Sequence, residues 1–332
     1  MKNLFKDKKI LITGATGSIG KSVLLRLLKT KCKVIRAMSN DENSLFELSE
    51  LVKKNSYTNL DKYMRSNRIR YIQGDVSDIN RCISASEDID IIIHAAAMKH
   101  VPFCEYNPLE ATKVNVVGTE NMVTAALKNN ISKFIMVSTD KVVNPTSVLG
   151  ATKLLAERIV VNANLNKGRK KTTFSCVRFG NVIGTRGSIL PFFISQAKSS
   201  NKITVTTNNM TRYFMTINHA VDVILYAITN MSGGEIFIPN NLKKFKIRDL
   251  AEVIKKRTKK NIKIALIGRR DGEKEHESLF TDIERENIKV LGNYYVICNK
   301  PNKKKFFPKN EKNISKKEIE YSLKTYFDDI DL

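Results

Sequence analysis

A glycine-rich turn close to the N-terminus limits the folds open to this chain more than any other feature. The turn reads Gly14-Ala15-Thr16-Gly17-Ser18-Ile19-Gly20, and it follows a short apolar run over Lys9–Thr13. Apolar residues then recur at helical spacing from Ser22 to Leu28, so the local order is strand, tight turn and helix. Glycines in such a turn let the backbone approach a pyrophosphate, which then lies on the free N–H groups of the helix. The turn therefore predicts a dinucleotide site.

Apolar runs and helical patterns alternate through the first half of the chain. Further strands are predicted over Lys33–Met38, Ile69–Gln73, Asp90–His94, Lys133–Val137 and Thr172–Arg178, and helices over Glu42–Lys54, Leu109–Asn129 and Val148–Asn164. Strands that are apolar along most of their length and alternate with helices belong to a parallel sheet covered on both faces. The predicted fold class is therefore α/β, a Rossmann-like doubly wound parallel sheet with a smaller C-terminal substrate-binding lobe.

The alternation becomes irregular beyond these elements. Strands are predicted over Ile203–Thr206 and Glu235–Ile238, and helices over Thr216–Thr229 and Ile247–Lys256. We therefore assign 1–180 to the dinucleotide-binding domain and 181–298 mainly to an interleaved substrate-binding lobe, with elements at about 210–240 returning to the first domain. Residues 299–332 form a basic C-terminal tail.

The composition is that of a globular enzyme of the cytoplasm. Hydrophobic residues make up 42% and charged residues 27% of the 332 residues. No apolar run approaches the roughly 20 residues that cross a bilayer, and the N-terminus has no signal-peptide core, so a cytoplasmic location is expected. The five cysteines include no Cys-x-x-Cys pair and the four histidines form no cluster. Reduced thiols and the absence of a metal site are therefore expected.

The net charge of +24 would suit an anionic partner. The lysines are scattered through helices rather than interleaved with exposed aromatic residues, so we interpret the charge as solvated surface and expect no nucleic-acid partner. The tail from Asn299 to Ile319 concentrates lysine around Phe306 and Phe307. Contact of this tail with an acidic membrane is one interpretation, and a packed C-terminal helix with a charged outer face is the favoured one.

Further cofactor contacts are predicted at the carboxyl ends of the strands, where ligands of open parallel sheets bind. Asp75 and Val76 follow the third strand, and a carboxylate there can accept a hydrogen bond from an adenine amino group. Ala95, Ala96 and Ala97 follow the fourth strand, where small side chains let the backbone lie against the cofactor.

The end of the second strand bears on the choice between NAD and NADP, and it favours NADP only slightly. An acid at that position binds the ribose of NAD, whereas Ser39 and Asn40 stand at the predicted tip and leave room for a 2′-phosphate. Arg36 is close in sequence to meet that phosphate, but Asp41 would bind the ribose if the loop is one residue longer.

The fifth strand ends in a group of polar residues. Lys133–Val137 delivers Ser138-Thr139-Asp140-Lys141 to the same edge of the sheet, and the helix that follows carries Lys153. These residues resemble the extended short-chain dehydrogenase/reductase superfamily, whose active site pairs a serine or threonine after this strand with Tyr-x-x-x-Lys. Here Leu149 replaces the tyrosine, and Lys153, which faces the cofactor by that resemblance, is kept.

The Thr-Asp-Lys triplet more closely resembles the nucleotide-sugar 4,6-dehydratases that act on UDP-N-acetylglucosamine. Matching motifs run from Lys9 to about Glu284, and they include Ala97–Pro102, Glu105–Pro108, Arg178–Val182, Arg186–Ser188, Met210–Phe214 and Gly272–Lys274. Some members of that family carry a residue other than tyrosine, typically methionine, at the position of Leu149. The leucine therefore indicates a subgroup of dehydratases rather than an inactive relative.

The resemblance implies a reaction without net redox change. Hydride passes from C4 of the sugar to a tightly bound, recycled NADP or NAD, water leaves across C5 and C6, and hydride returns to C6. By similarity, Lys141 is the base at C5, Asp140 is the acid at the departing hydroxyl, and Thr139 orients the C4 oxygen. Lys141 must then be neutral and Asp140 protonated. The product, a UDP-4-keto-6-deoxy-sugar, would serve surface polysaccharide or glycan biosynthesis.

Strand positions and the resemblance together give two sets of binding residues. The cofactor set is Gly14, Thr16, Gly17, Ser18, Ile19, Gly20, Ser39, Asn40, Asp75, Val76, Ala95, Ala96, Ala97, Lys99 and Lys153. The set for UDP-N-acetylglucosamine is Lys99, His100, Asn181, Arg186, Ser188, Arg212, Arg270 and Glu273. The arginines of this second set would meet the pyrophosphate. A homo-oligomer is expected because relatives assemble through core helices.

Two alternatives stay open on the sequence. A UDP-sugar 4-epimerase shares the cofactor and the substrate, but it relies on the tyrosine that is absent here and needs no acid–base pair at C5 and C6. A non-catalytic dinucleotide-binding sensor or scaffold, acting through the basic tail, is the alternative from another class. Loss of one water from UDP-N-acetylglucosamine would separate the dehydratase from both.

Overall fold

Strands and helices alternate along the chain as expected for an α/β protein. A computed structural model describes residues 4–54, 68–258, 261–298, 306 and 313–328. The strands are β1 (Lys9–Thr13), β2 (Val34–Ser39), β3 (Ile69–Gln73), β4 (Ile91–His94), β5 (Lys133–Thr139), β6 (Thr173–Phe179), β7 (Asn181–Val182), β8 (Lys202–Val205), β9 (Thr211–Met215), β10 (Ile236–Pro239), β11 (Lys243–Lys246), β12 (Lys263–Leu266), β13 (Ile288–Leu291) and β14 (Tyr294–Ile297).

Helices connect most of these strands. They are α1 (Ser18–Leu27), α2 (Glu42–Lys54), α3 (Ile79–Ser86), α4 (Val101–Tyr106), α5 (Pro108–Thr112), α6 (Gly118–Lys128), α7 (Val148–Asn166), α8 (Ile189–Ser199), α9 (Ile217–Asn230), α10 (Ile247–Thr258), α11 (Lys316–Ser322) and α12 (Lys324–Asp328). A π-helical turn, Lys113–Val117, joins α5 to α6, and 3₁₀ turns cover Asp140–Val142 and Glu284–Asn287.

One large sheet runs through the centre of the described structure. Its strand order is β13-β14-β10-β6-β5-β4-β1-β2-β3, parallel from β10 to β3 and antiparallel at β14 and β13. The chain builds outward from β1 to β3 on one side and from β4 to β6 on the other. This reversal beside β1 is the switch point of a doubly wound sheet, where ligands bind at the carboxyl ends of the strands. The predicted Rossmann-like parallel sheet is therefore confirmed.

The central strands pack on both faces, which explains their continuous apolar sequence. Ile10 and Ile12 belong to one apolar core together with residues of α1 and α9, whereas Leu11 belongs to a second core with residues of α6 and α7. All three side chains are fully buried. Alternation of strand side chains between two covered faces is the arrangement that a parallel sheet requires.

A smaller lobe is built from the second half of the chain. β11, β9 and β7 form a three-stranded sheet, β12 pairs with β8, and α8, α10 and α11 pack around a third apolar core. In contrast, β10 pairs with β6 and α9 packs on α1, so this part of the chain lies with the large sheet. β13 and β14 also extend the large sheet, although the sequence places them in the range of the lobe. The domain boundaries themselves stay predictions.

The helix predicted over Leu109–Asn129 is confirmed, and it contains a π turn. α5, the π turn and α6 follow one another without a break over 108–128. Within this turn the buried side chain of Asn115 accepts a hydrogen bond from the Met98 N–H at 2.9 Å and donates to the Met98 carbonyl at 3.2 Å. The wider turn thereby fixes the chain just before Lys99 and His100, as π turns often do at functional sites.

Half of the predicted basic tail, namely 299–305, 307–312 and 329–332, lies outside the described residues. Its last part includes α11 and α12. Ile319 of α11, Phe327 of α12 and Leu323 between them are buried in the core of the lobe. Among the helices in the ranges given above, none has the length and the apolar character needed to cross a membrane.

Candidate active site

The turn between β1 and α1 forms a cradle for an anion. Gly14 has φ +64°, and a Cβ atom there would lie 2.7 Å from the backbone nitrogen of Ala96. The N-cap of α1 is Gly17, which provides no side-chain hydrogen bond, and the first turn of the helix has no acidic residue. The amide groups of this turn are therefore open to a pyrophosphate. These features fit the predicted dinucleotide.

A cavity of about 660 Å³ extends from this cradle along the carboxyl edge of the sheet. This is the larger of the two cavities of the site. Every residue of the predicted cofactor set lines it, from Gly14 through Asp75 and Ala96 to Lys153. Its volume lies in the range of cofactor sites. Among the described residues, no cluster of histidine, cysteine and acidic side chains could hold a metal ion.

The tip of β2 has its own polar contacts. Asn40 Nδ2 donates to Asp75 Oδ2 at 3.0 Å, and both residues line the larger cavity together with Asp41. Arg36 instead turns its guanidinium toward two backbone carbonyls at the end of α3. In the sequence, Arg36 is close enough to the strand end to be a candidate ligand of a 2′-phosphate. In the structure it lies away from the cavity and is therefore not a candidate for that contact.

The end of β5 carries the predicted catalytic cluster. Thr139 Oγ1 and Lys141 Nζ each donate to Asp140 Oδ1 at 3.0 Å. The other carboxylate oxygen of Asp140, Oδ2, is buried without a hydrogen-bond partner. Thr139 and Lys141 line the larger cavity, whereas Asp140 is completely buried behind them. A proton on Asp140 therefore reaches the cavity by way of its two neighbours.

Lys153 and Leu149 lie on consecutive turns of α7 beside this cluster. Lys153 Nζ donates to the carbonyl of Val137 at 2.8 Å, and burial lowers the pKa of this amine to about 8. Leu149 lines the larger cavity and packs in a small apolar group with Cys104 and Ala111. At the position where a tyrosine would stand, the chain thus presents no group that can transfer a proton.

The loop at 185–188 links the dinucleotide turn to the end of β4. The Arg186 N–H donates to Ser18 Oγ at 3.1 Å, and Lys99 donates to the carbonyl of Arg186. Gly187 has φ +71° and packs so closely on the ring of His100 that a Cβ atom would lie 2.5 Å from Cε1. Burial, and secondarily the charge of Arg186, lower the pKa of Lys99. Both cations line the larger cavity, where phosphate groups would meet them.

A second cavity, of about 470 Å³, is lined by residues of the sheet edge and of the lobe. It shares Lys141, Asn181, Gly187 and Ser188 with the larger cavity, so the two are contiguous. The predicted substrate residues on this smaller cavity are Asn181, Ser188, Arg212, Arg270 and Glu273. Those on the larger cavity are Lys99, His100, Asn181, Arg186 and Ser188. Lys141 lines both cavities and therefore marks their junction.

Arg212 uses most of its donors within the protein. Its guanidinium donates to the carbonyls of Thr211, Lys274 and Glu275 at 2.8, 2.8 and 3.1 Å, and it lies 3.7 Å from Glu273 Oε1. The sequence predicts a pyrophosphate contact for this arginine. Its contacts in the structure hold the segment 273–275 against β9.

Buried charged residues surround the catalytic cluster in the structure, and the sequence patterns do not predict them as site residues. Glu277 is 3% exposed and lies 3.7 Å from Lys141 Nζ. Arg178 is fully buried and pairs with Glu157 and Glu284. In the sequence, Arg178 stands in one matching motif and Glu277 stands just beyond another. Positions so far apart in the sequence do not reveal which side chains contact each other.

Buried polar atoms without a hydrogen-bond partner concentrate around the smaller cavity. Within the described residues they include Asn181 Oδ1, Ser188 Oγ and Glu273 Oε2, all from residues that line it. Leaving a buried acceptor unpaired costs about 1–3 kcal/mol. A ligand rich in hydroxyl and amide donors would relieve this cost, so the cavity suits a sugar.

Comparison with known proteins agrees with this geometry. The family model for "Polysaccharide biosynthesis protein" matches residues 10–299. The chain belongs to this family. Its fold is that of the extended short-chain dehydrogenases/reductases, as the sequence resemblance predicts.

Three proteins of similar sequence have different names. A Methanocaldococcus jannaschii protein named as an uncharacterized membrane protein is 44% identical over 98% of this chain and 97% of its own length. The UDP-N-acetylglucosamine 4,6-dehydratase (inverting) of Campylobacter jejuni is 40% identical over 89% of this chain and 84% of its own length. A UDP-glucose 4-epimerase of Rickettsia bellii is 38% identical over 94% of this chain and 90% of its own length. The chain is therefore an enzyme of the nucleotide-sugar dehydratase and epimerase class.

Two solved structures share the architecture. Pen from Bacillus thuringiensis superposes with a TM-score of 0.89 at 40% identity, covering 97% of this chain and 98% of that one. A dTDP-glucose 4,6-dehydratase from Streptomyces venezuelae, solved with NAD and TYD bound, superposes with a TM-score of 0.71 at 18% identity, covering 89% and 92%. At the lower identity, the likeness shows the fold alone.

Proposed function

We propose that this enzyme is a UDP-N-acetylglucosamine 4,6-dehydratase, a carbon–oxygen lyase that forms a UDP-4-keto-6-deoxy-sugar for surface polysaccharide or glycan biosynthesis. The observation that carries the proposal is the contact of Thr139, Asp140 and Lys141 at the junction of two contiguous cavities. One cavity offers a glycine cradle, and the other offers unpaired buried acceptors. The 40% identity to the Campylobacter jejuni dehydratase supports the same reaction.

The larger cavity suits a nicotinamide dinucleotide because the glycine turn leaves backbone amides free. NADP or NAD bound there would supply the acceptor for hydride from C4 and the donor for its return to C6. In this proposal the amides at 18–20 hold the pyrophosphate, Asp75 accepts from the adenine, and Lys153 lines the end of the cavity beside β5. Lys99 and Arg186 provide positive charge toward the phosphates.

The first proton of the reaction passes to Asp140. Oxidation at C4 releases the proton of the C4 hydroxyl, and Leu149 offers no phenol to take it. Thr139 lines the cavity and donates to Asp140 Oδ1, so its hydroxyl can receive the C4 proton while it passes its own to the carboxylate. Asp140 thereby becomes the acid that elimination needs.

Elimination then divides between Lys141 and Asp140. The ketone at C4 acidifies the C5 proton, and the neutral amine of Lys141 takes it while the C5–H electron pair moves into the C4–C5 bond. The 6-hydroxyl leaves as water with the proton from Asp140, and a C5–C6 double bond remains. When hydride returns to C6, Lys141 gives the proton back to C5.

Turnover of UDP-N-acetylglucosamine tests this function. The protein is incubated with the nucleotide sugar and either NADP or NAD, and mass spectrometry follows the loss of one water and the formation of a 4-keto product. Asp140→Asn and Lys141→Met should each abolish water loss in a folded protein. The exposed controls Asp282→Asn and Lys53→Met should retain it. Activity that survives in both site variants would refute the assigned roles.

The relative named UDP-glucose 4-epimerase favours one second candidate function. An epimerase returns hydride to C4 and releases no water, so its product has the mass of the substrate. A product of unchanged mass with altered configuration at C4 would establish that candidate. No turnover with the dinucleotide bound would instead support a dinucleotide-binding sensor or scaffold. A homo-oligomer and a cytoplasmic location stay predictions.

A further inference from the structure

A second buried carboxylate stands beside the proposed base. Glu277 Oε1 lies 3.7 Å from Lys141 Nζ, and Asp140 Oδ1 lies 3.0 Å from the same nitrogen. The Glu277 side chain is 2% exposed, and it lines the smaller cavity. Its Oε2 forms an ion pair with Lys274 Nζ at 2.7 Å.

The segment that carries Glu277 is fixed to the catalytic turn. Lys274 Nζ donates to the carbonyl of Val143 at 2.8 Å, directly after the 3₁₀ turn that bears Asp140 and Lys141. On its other side, Arg212 holds the carbonyl of Lys274 at 2.8 Å. Glu277 is therefore anchored next to Lys141 from both the sheet edge and the lobe.

Charges alternate through this group in the order Asp140, Lys141, Glu277 and Lys274. A buried carboxylate destabilises the fold unless it is paired. Here the pairing places the Glu277 carboxylate beside the Lys141 amine, which has to lose a proton. Two carboxylates flank the Lys141 amine, whereas a base at C5 must be neutral. Asp140 cannot take that proton in the proposed function, because it already holds the proton from the C4 hydroxyl.

We propose that Glu277 is the positioning residue of Lys141: it orients the amine at the cavity junction and holds its proton during elimination. When substrate binding closes the 3.7 Å gap to hydrogen-bond distance, the proton moves from Lys141 Nζ to Glu277 Oε1, which leaves a neutral amine and a carboxylic acid. Lys141 then removes the C5 proton and later returns it to C5, after which Glu277 gives the stored proton back. No oxidant or further reactant is needed. This inference rests on the proposed function and adds to it.

Glu277→Gln keeps the volume of the side chain and removes its ability to take a proton. At neutral pH, we expect kcat for water loss to fall by about 10²-fold, the low end of general acid–base effects, with KM little changed. Oxidation at C4 should persist, so the near-ultraviolet absorbance of the reduced nicotinamide should build up in a single turnover.

Two further variants complete the design. Glu277→Asp keeps a carboxylate and should recover activity to within about tenfold of the unmodified protein, as expected if proton acceptance is the role. Glu252→Gln removes the carboxylate of another lysine pair, with Lys316 in the lobe, and should leave kcat unchanged. Thermal unfolding of each cofactor-free variant and calorimetry of UDP binding measure folding and binding separately from turnover.

Several results would overturn the inference. Glu277→Gln with nearly unchanged kcat, or with equal loss of C4 oxidation and elimination, would each contradict it. If Glu277→Gln does not fold, Glu277→Asp decides the matter: unchanged kcat in that variant, or loss of C4 oxidation, would refute the inference. Absence of water loss in the unmodified protein would refute the proposed function instead.

Discussion

The buried guanidinium of Arg178 gives a direct test of how the catalytic strand is held in place. It makes five hydrogen bonds, two to each of the carboxylates of Glu157 and Glu284 and one to the carbonyl of Leu279. All five N–H donors of the arginine can thus be satisfied. Glu157 in turn accepts from Ser138 Oγ at 2.7 Å, directly before Thr139. The ion group therefore ties β5, β6 and α7 to the segment at 279–284.

Arg178→Met should cost much more stability than a surface substitution. The side chains of Arg178, Glu157 and Glu284 are 1%, 0% and 8% exposed, so removal of the cation leaves two carboxylates buried together. Breaking a buried pair in this way typically costs about 3–5 kcal/mol. Burial raises the pKa of Glu284, and the hydrogen bonds and charge of Arg178 outweigh it to hold that pKa below its usual value. Without Arg178 this carboxyl should take up a proton more readily.

Arg158 offers a matched control because it approaches the same carboxylate. Its Nη2 lies 3.8 Å from Glu284 Oε1, but its side chain is 51% exposed. Exposed pairs contribute about 0–1 kcal/mol, so Arg158→Met should change little. Urea unfolding at neutral pH measures both variants. Equal losses for the two substitutions, or a loss below about 1 kcal/mol for Arg178→Met, would contradict the role assigned to the buried pair.

Two further predictions concern the dinucleotide turn and a buried histidine. Gly14→Ala should weaken NADP and NAD binding at least tenfold by calorimetry, because its Cβ would lie 2.7 Å from Ala96 N; Gly168→Ala, at a similar positive φ but with no neighbour within 4 Å, is the control and should bind normally. Burial lowers the pKa of His94 to about 3 from 6.5, so between these pH values the unfolded chain holds a proton that the folded chain lacks. The free energy of unfolding should therefore fall by about 1.4 kcal/mol per pH unit on acidification, and urea unfolding of His94→Asn should lose this contribution; an unchanged slope would contradict it.

Local patterns in the sequence suffice for many elements of the fold. α2 and β3 have the predicted bounds, because helical spacing and an apolar run mark them without help from distant residues. The glycine turn is also a local signal, and the residues on either side of it predict the strand before it and the helix after it. The helix predicted over Leu109–Asn129 is confirmed as one helical run over 108–128, but its apolar spacing does not show the π turn within it or the contact of Asn115 with Met98.

Contacts between distant segments are the part that the sequence could not provide. The β13–β14 hairpin joins the large sheet through antiparallel pairing of β14 with β10, which no local pattern encodes. Glu277 meets Lys141 only because Arg212 and Lys274 fix its segment against the catalytic turn. Candidate site residues could thus be predicted where a motif follows a strand, whereas the charges around them depend on tertiary packing.

The measurement that tests the central claim most directly follows a deuterium atom placed at C4 of UDP-N-acetylglucosamine. If the cluster of Thr139, Asp140 and Lys141 performs elimination from a transiently oxidised sugar, NMR should find the deuterium at C6 of a 4-keto product that has lost one water. Deuterium that remains at C4 in a product of unchanged mass would contradict the account.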